Sequence, residues 1–134
     1  MSNHTVLIVE DDQSLREALC TTLRLAKINF IEADCAEAAL VQLEKKSVDL
    51  VVSDVNMPGM DGLTGLRRMI EVNGNKPVAI LSSGIPLDLA KEAVNSGASG
   101  YIPKYLSPQI IAKGIKSMSQ GQKFLADYFL TQAA

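Results

Sequence analysis

The chain has 134 residues, enough for one compact domain with a single core. Hydrophobic residues make up 47% and charged residues 21%, with no low-complexity stretch, a composition that excludes intrinsic disorder. The formal net charge of −2 argues against an unaided grip on nucleic acid, and no apolar run is long enough to cross a bilayer.

The N-terminal Met1-Ser2-Asn3-His4 lacks the pattern of a signal peptide. Thr5 to Val9 is a short β-branched run, as expected of a strand covered on both faces. Ser14 to Ala26 follows as a helix with Leu15, Ala18, Leu19, Thr22 and Leu23 on one face. Cys20 lies in that helix and Cys35 just before the next; they have no metal spacing, so both read as reduced thiols in a cytoplasmic protein. Phe30 to Ala33 is a brief second strand, and Ala36 to Lys46 an amphipathic helix with Ala36, Ala39, Leu40 and Leu43 inward. Val48 to Ser53 is the third strand, and Leu63, Leu66, Met69 and Ile70 stripe the helix after it.

Val78 to Leu81 is the fourth strand, and Leu87 to Ser96 a fourth helix that Gly97 stops. Gly100 to Pro103 is the fifth strand; proline cannot donate to a ladder, so this strand lies at a sheet edge or ends there. Ser107 as N-cap and Pro108 at the first helical position start a fifth helix, with Ile110, Ile111, Ile115 and Met118 as its buried stripe. Five strands alternating with five helices imply an α/β domain: a doubly wound parallel sheet with helices on both faces. Residues 1–121 form that domain, and 122–134 a C-terminal tail or the start of a linker.

In open parallel sheets ligands bind at the carboxyl ends of the strands. The first strand exits into Glu10-Asp11-Asp12, the third into Asp54, the fourth into Ser82-Ser83 and the fifth into Lys104. Singly, each has a plain structural use: Asp12 as a helix cap, Ser82 bonding to nearby backbone, Lys104 as a solvated charge. Together they point to chemistry. Clustered carboxylates repel unless a cation compensates them, and oxygen donors without imidazole or thiolate suit Mg²⁺. A carboxylate can also be a phosphoryl-accepting nucleophile. Mg²⁺ on Glu10 and Asp11, the Lys104 ammonium and the Ser82 hydroxyl would neutralise and bond a phosphoryl group arriving on Asp54.

LIVEDD, SDVNMPGMDG, AILSS and GASGYIPK, in that order, resemble the response-regulator receiver domains, the CheY-like family, from Thr5 to about Gly121. The resemblance implies a flavodoxin-like sheet of order 2-1-3-4-5. It makes Asp54 the phosphoacceptor and a metal ligand, Asp11 a direct Mg²⁺ ligand, and Glu10 a ligand acting through water. The backbone carbonyl of Asn56 completes the metal shell, and Mn²⁺ is an expected substitute. Ser82 matches the switch hydroxyl, Lys104 the phosphoryl-binding lysine and Tyr101 the switch aromatic, while Asn56 and Gly84 match positions that tune phosphoryl lifetime. Met57-Pro58-Gly59 would form the turn behind the acceptor, and Asp61-Gly62 the entry to the next helix.

Phosphorylation adds a charge of about −1.5 to −2. It is expected to draw Ser82 inward and let Tyr101 rotate into the space vacated, changing the surface of the fourth helix, fifth strand and fifth helix. Tyr101 is equally readable as a half-buried edge-strand aromatic. The expected partners are a sensor histidine kinase or a phosphotransfer protein, and a second copy through the switch surface. The domain would catalyse its own phosphorylation and dephosphorylation without being a turnover enzyme.

The usual proline after the fifth-strand lysine is replaced by Tyr105. IPKYLSP, with QGQKFL at 120–125, instead resembles the receivers of NarL/FixJ-type regulators, which precede a helix-turn-helix DNA-binding domain. The remaining ADYFLTQAA has no room for such a domain. The chain therefore reads either as a receiver cut from a transcription factor or as a stand-alone relay protein. The apolar Phe124, Leu125, Tyr128 and Phe129 favour the first.

Three rivals compete. An Asp-nucleophile, Mg²⁺-dependent phosphatase of the haloacid-dehalogenase type wants an acid where Asn56 stands. A nucleotide- or flavin-binding domain wants a glycine-rich turn where Glu10-Asp11-Asp12 stand. A receiver working without phosphorylation would not need the full acid, hydroxyl and lysine set.

Overall fold

The computed structural model describes residues 4–54, 62–74, 76–82, 98, 100–104 and 106–120. Five strands, β1 (Thr5–Val9), β2 (Asn29–Ala33), β3 (Leu50–Asp54), β4 (Val78–Ser82) and β5 (Gly100–Pro103), form one parallel sheet of order β2-β1-β3-β4-β5. The described helices are α1 (Gln13–Leu25), α2 (Ala36–Lys45), α3 (Gly62–Val72) and α4 (Pro108–Ser119). The helix expected over 87–96 and its Gly97 stop lie outside the described residues.

β3 and β4 are buried at every position because helices cover both sides. Alternation along the strands then divides the core in two. Leu7, Val9, Val51, Val78 and Ile80 face α2 and α3, where Leu40, Leu43, Leu66 and Met69 meet them. Val6, Ile8, Leu50, Val52, Ala79, Leu81 and Ile102 face α1 and α4, where Leu19, Leu23, Ile111, Ile115 and Met118 complete the layer. In-step parallel pairing, from Val9 opposite Ser53 to Ser82 opposite Pro103, brings the carboxyl ends of β1, β3, β4 and β5 out on one rim.

Local chemistry sets the helix ends. Asp12 caps α1, accepting from the backbone N–H groups of Ser14 and Leu15 at 3.0 and 3.3 Å. At its far end Lys27 adopts φ 61°, while Lys27 N–H bonds to Arg24 O and Ile28 N–H to Leu23 O, the paired closure of a Schellman motif. Gly74, at φ 68°, makes the same left-handed exit from α3. Ser107 caps α4 with Pro108 in its first turn, as expected.

Two expectations shift. Ile110 is 45% exposed rather than part of the buried stripe, because α4 turns Ile111, Ala112, Ile115 and Met118 to the sheet and Ile110 falls to the side. β3 starts at Leu50, not Val48. The N–H and C=O of Val48 are instead taken by the buried Asn73 side-chain amide, at 2.8 and 3.0 Å, which ties the end of α3 to the approach of β3. β5 is an edge strand and Pro103 its last residue, as its chemistry requires.

Candidate functional site

Asp54 is the last residue of β3 rather than its successor, and its side chain is almost fully buried. Glu10 follows β1 directly and is wholly buried, while Asp11, one residue on, is exposed. Carboxylate oxygens of Glu10, Asp11 and Asp54 lie within 4.8 Å of one another. Lys104, just past β5, brings its Nζ 2.8 Å from Asp54 Oδ2 and 2.9 and 3.2 Å from the two oxygens of Glu10. The strands thus gather onto one rim three acids and an amine that stand up to 94 residues apart in the chain.

The Lys104 backbone also helps to place it, its N–H donating to Ser82 O at 2.8 Å across the β4–β5 exit. Ser82 itself is fully buried at the end of β4. Tyr101 is 2% exposed, more deeply set than a half-buried edge aromatic, because it pairs with Ile80 in the core on the α2–α3 side. Asn56, the Met57-Pro58-Gly59 turn, Asp61, Gly84 and Tyr105 lie outside the described residues.

The electrostatics follow from burial. Removal from water pushes the Glu10 carboxyl up to about 7; Lys104 and the Asp12 N–H oppose that rise, and the nearby Asp54 charge adds to it. Burial works to lower Lys104, yet its hydrogen bonds and attraction to Asp54 and Glu10 outweigh it and hold the ammonium above its ordinary value. Three carboxylates facing one ammonium leave negative charge to be balanced when all are ionised.

A divalent cation is the natural counter-charge. Glu10 Oε1 is buried and, although close to Lys104, lacks a partner in hydrogen-bond geometry, and the cluster is made of hard oxygen donors. This donor set fits Mg²⁺, with Glu10, Asp11 and Asp54 as the residues that would hold it.

Arg16, unremarked in the sequence, reaches this region from α1. Its Nη1 donates to Glu10 O at 2.7 Å and its Nε pairs with Glu32 Oε1 on β2 at 3.2 Å. No spacing signals this, since the contact depends on how α1 lies against β2. The two cysteines are free. Burial, with Glu32 nearby, pushes the Cys20 thiol up to about 12, which keeps it protonated and unreactive at neutral pH. Cys35 caps α2, its Sγ accepting from Ala38 N–H at 3.4 Å.

Comparison with known proteins converges on one family. The profile described as the response regulator receiver domain matches residues 6–116. The response regulator protein FleR of Pseudomonas aeruginosa is 40% identical over 117 residues, which span 87% of this chain and 25% of that protein. The response regulator UvrY of Escherichia coli K12 is 30% identical over 131 residues, 96% of this chain and 60% of that protein. The chain therefore spans about a quarter of one relative and three-fifths of the other. A crystal structure of a LuxR family DNA-binding response regulator from Silicibacter pomeroyi superposes with a TM-score of 0.79 at 30% identity, covering 91% of this chain and 96% of that one.

Proposed function

Because the chain belongs to the response regulator receiver domain family of two-component signalling, we propose that it accepts a phosphoryl group on Asp54 from a sensor histidine kinase or a phosphotransfer protein. The observation that carries this reading is the setting of Asp54. It is a buried carboxylate at a strand end, 2.8 Å from the Lys104 ammonium and grouped with Glu10 and Asp11.

In the transfer, an Asp54 carboxylate oxygen attacks phosphorus while the P–N bond to the donor imidazole breaks, the nitrogen leaving with the bonding pair. Glu10, Asp11 and Asp54, with the Asn56 carbonyl as the further ligand that the resemblance implies, would hold Mg²⁺, which when bound would neutralise charge on the phosphoryl oxygens. Lys104 already lies on the carboxylate and offers a donor to the incoming oxygens.

Ser82 then reports the event by bonding the phosphoryl group, whereas Tyr101 is already packed inward in the unphosphorylated chain, so the expected rotation of its ring is not needed to bury it. The surface expected to change is that of the fourth helix expected over 87–96, β5 and α4, which is also the face expected to meet a second copy. Residues 1–121 serve as the receiver, a signalling domain rather than a turnover enzyme, and 122–134 as tail or linker. UvrY and the LuxR-family structure are named as a response regulator and a DNA-binding response regulator. A transcription-controlling output in the cytoplasm is the matching role here. Among the described residues no helix is long and apolar enough to cross a membrane.

Intact mass after incubation with Mg²⁺ and acetyl phosphate tests the reading. The wild type is expected to gain one phosphoryl mass and Asp54→Asn none; equal gain in both overturns it.

A further inference from the structure

Glu10 is held by its main chain as well as its side chain. Its N–H donates to Ala33 O at the end of β2 at 3.1 Å, and its C=O accepts from Arg16 Nη1 at 2.7 Å. Arg16 is fixed in turn from two sides: its backbone N–H bonds to Asp12 O within α1, and its Nε to Glu32 on β2. The main-chain carbonyl of Glu32 accepts from Gln42 of α2 at 2.6 Å, which anchors that strand end to the next helix. The Arg16 side chain is only 17% exposed, and its guanidinium is held at both Nε and Nη1.

The carbonyl it grips matters because of what shares its plane. Glu10 C=O and Asp11 N–H belong to one rigid peptide unit, so pinning the carbonyl fixes the direction in which the Asp11 Cα leaves. Asp11 is the exposed acid of the cluster, the one whose carboxylate burial does not hold in place. We propose that Arg16 is a positioning residue for cation binding, orienting the Glu10–Asp11 peptide from behind so that the Asp11 carboxylate points at the site. The proposal rests on the reading of Glu10, Asp11 and Asp54 as an Mg²⁺ site. The competing use of Arg16 is a surface ion pair with Glu32, which is 45% exposed and therefore of small consequence.

Calorimetric titration with MgCl₂ at fixed pH separates the two. Groups that hold a metal ligand from behind typically carry about 10- to 100-fold in affinity. Arg16→Met is expected to weaken Mg²⁺ binding within that range, with thermal melting of the metal-free protein confirming that it folds. Arg16→Lys, which keeps one donor but loses the fork, is expected to recover part of the loss. Glu32→Gln removes the ion pair and leaves the carbonyl bond, and is expected to change affinity at most about fivefold. Should Arg16→Met not fold, Arg16→Lys is measured alone and weaker binding than wild type is the supporting result. Wild-type affinity in the folded Arg16 variants, or a loss no greater than that of Glu32→Gln, overturns the proposal and leaves the Mg²⁺ site standing. A wild type that binds no Mg²⁺ overturns both.

Discussion

Glu10 shows how much one buried atom set can ask of its surroundings. Its carboxyl is taken out of water, faces Asp54, and is answered by Lys104 and the Asp12 N–H, with a net rise to about 7. The consequence for stability has a definite sign. A carboxyl whose folded value lies above its unfolded value binds more protons in the native state. The Glu10 contribution to stability in the metal-free protein therefore declines as pH rises from about 4.5 towards 7 and levels off above that. Thermal melts across that window are expected to show the decline in wild type and to lose most of it in Glu10→Gln. A melting profile with the same slope in both proteins would refute the assignment. Legibility from sequence was uneven at this scale. Glu10, Asp54, Ser82 and Lys104 could be placed on the rim because each follows or ends a recognisable strand. The burial of Glu10 and the grip of Lys104 on both acids could not, since they join residues 50 and 94 positions apart.

Helices and strands carry their own instructions, and most of them act over a few residues. α1 ends through Lys27 in a left-handed conformation that glycine adopts without cost and a lysine does not. Lys27→Gly is expected to raise stability by about 0.5–1 kcal/mol, measured by urea unfolding. Gly74→Ala, at the matching exit of α3, is expected to lower it by about 1 kcal/mol although no atom lies near enough to clash. α4 offers a second contrast, between neighbours in one helix. Ile111 is fully buried and Ile110 is 45% exposed. Ile111→Ala is expected to cost about 2–5 kcal/mol, whereas Ile110→Ala stays within about 0.5 kcal/mol. Similar losses would return Ile110 to the buried stripe that periodicity alone assigns. The apolar spacing could not separate the two, because one step of 100° decides which side of a helix meets the sheet. Tertiary bonding likewise moved the start of β3, where the Asn73 amide replaces the ladder partners of Val48.

Across the whole molecule, function and stability pull against each other at the rim. The two cores on either side of the sheet are apolar and continuous, whereas the carboxyl ends of the strands gather like charges. Asp54→Asn removes one of them, and in metal-free protein it is expected to raise stability by roughly 1 kcal/mol, net of the weaker bond to Lys104. If Glu10, Asp11 and Asp54 hold Mg²⁺ as proposed, saturating Mg²⁺ is expected to stabilise the native wild type and narrow that gap. Unfolding of both proteins with and without Mg²⁺ checks this; an Asp54→Asn variant less stable than wild type without metal would contradict it. By itself the sequence determined the alternation of strands and helices, the caps at Asp12 and Ser107, the edge position of Pro103, and which side chains stand at the strand ends. These are local properties of period, propensity and backbone chemistry. Only the tertiary structure decided that Lys104 lies on Asp54 and Glu10, that Arg16 grips the Glu10 carbonyl, and that Tyr101 packs inward. Those depend on desolvation and on hydrogen bonds between distant segments, which exist only once the sheet has brought the strand ends together.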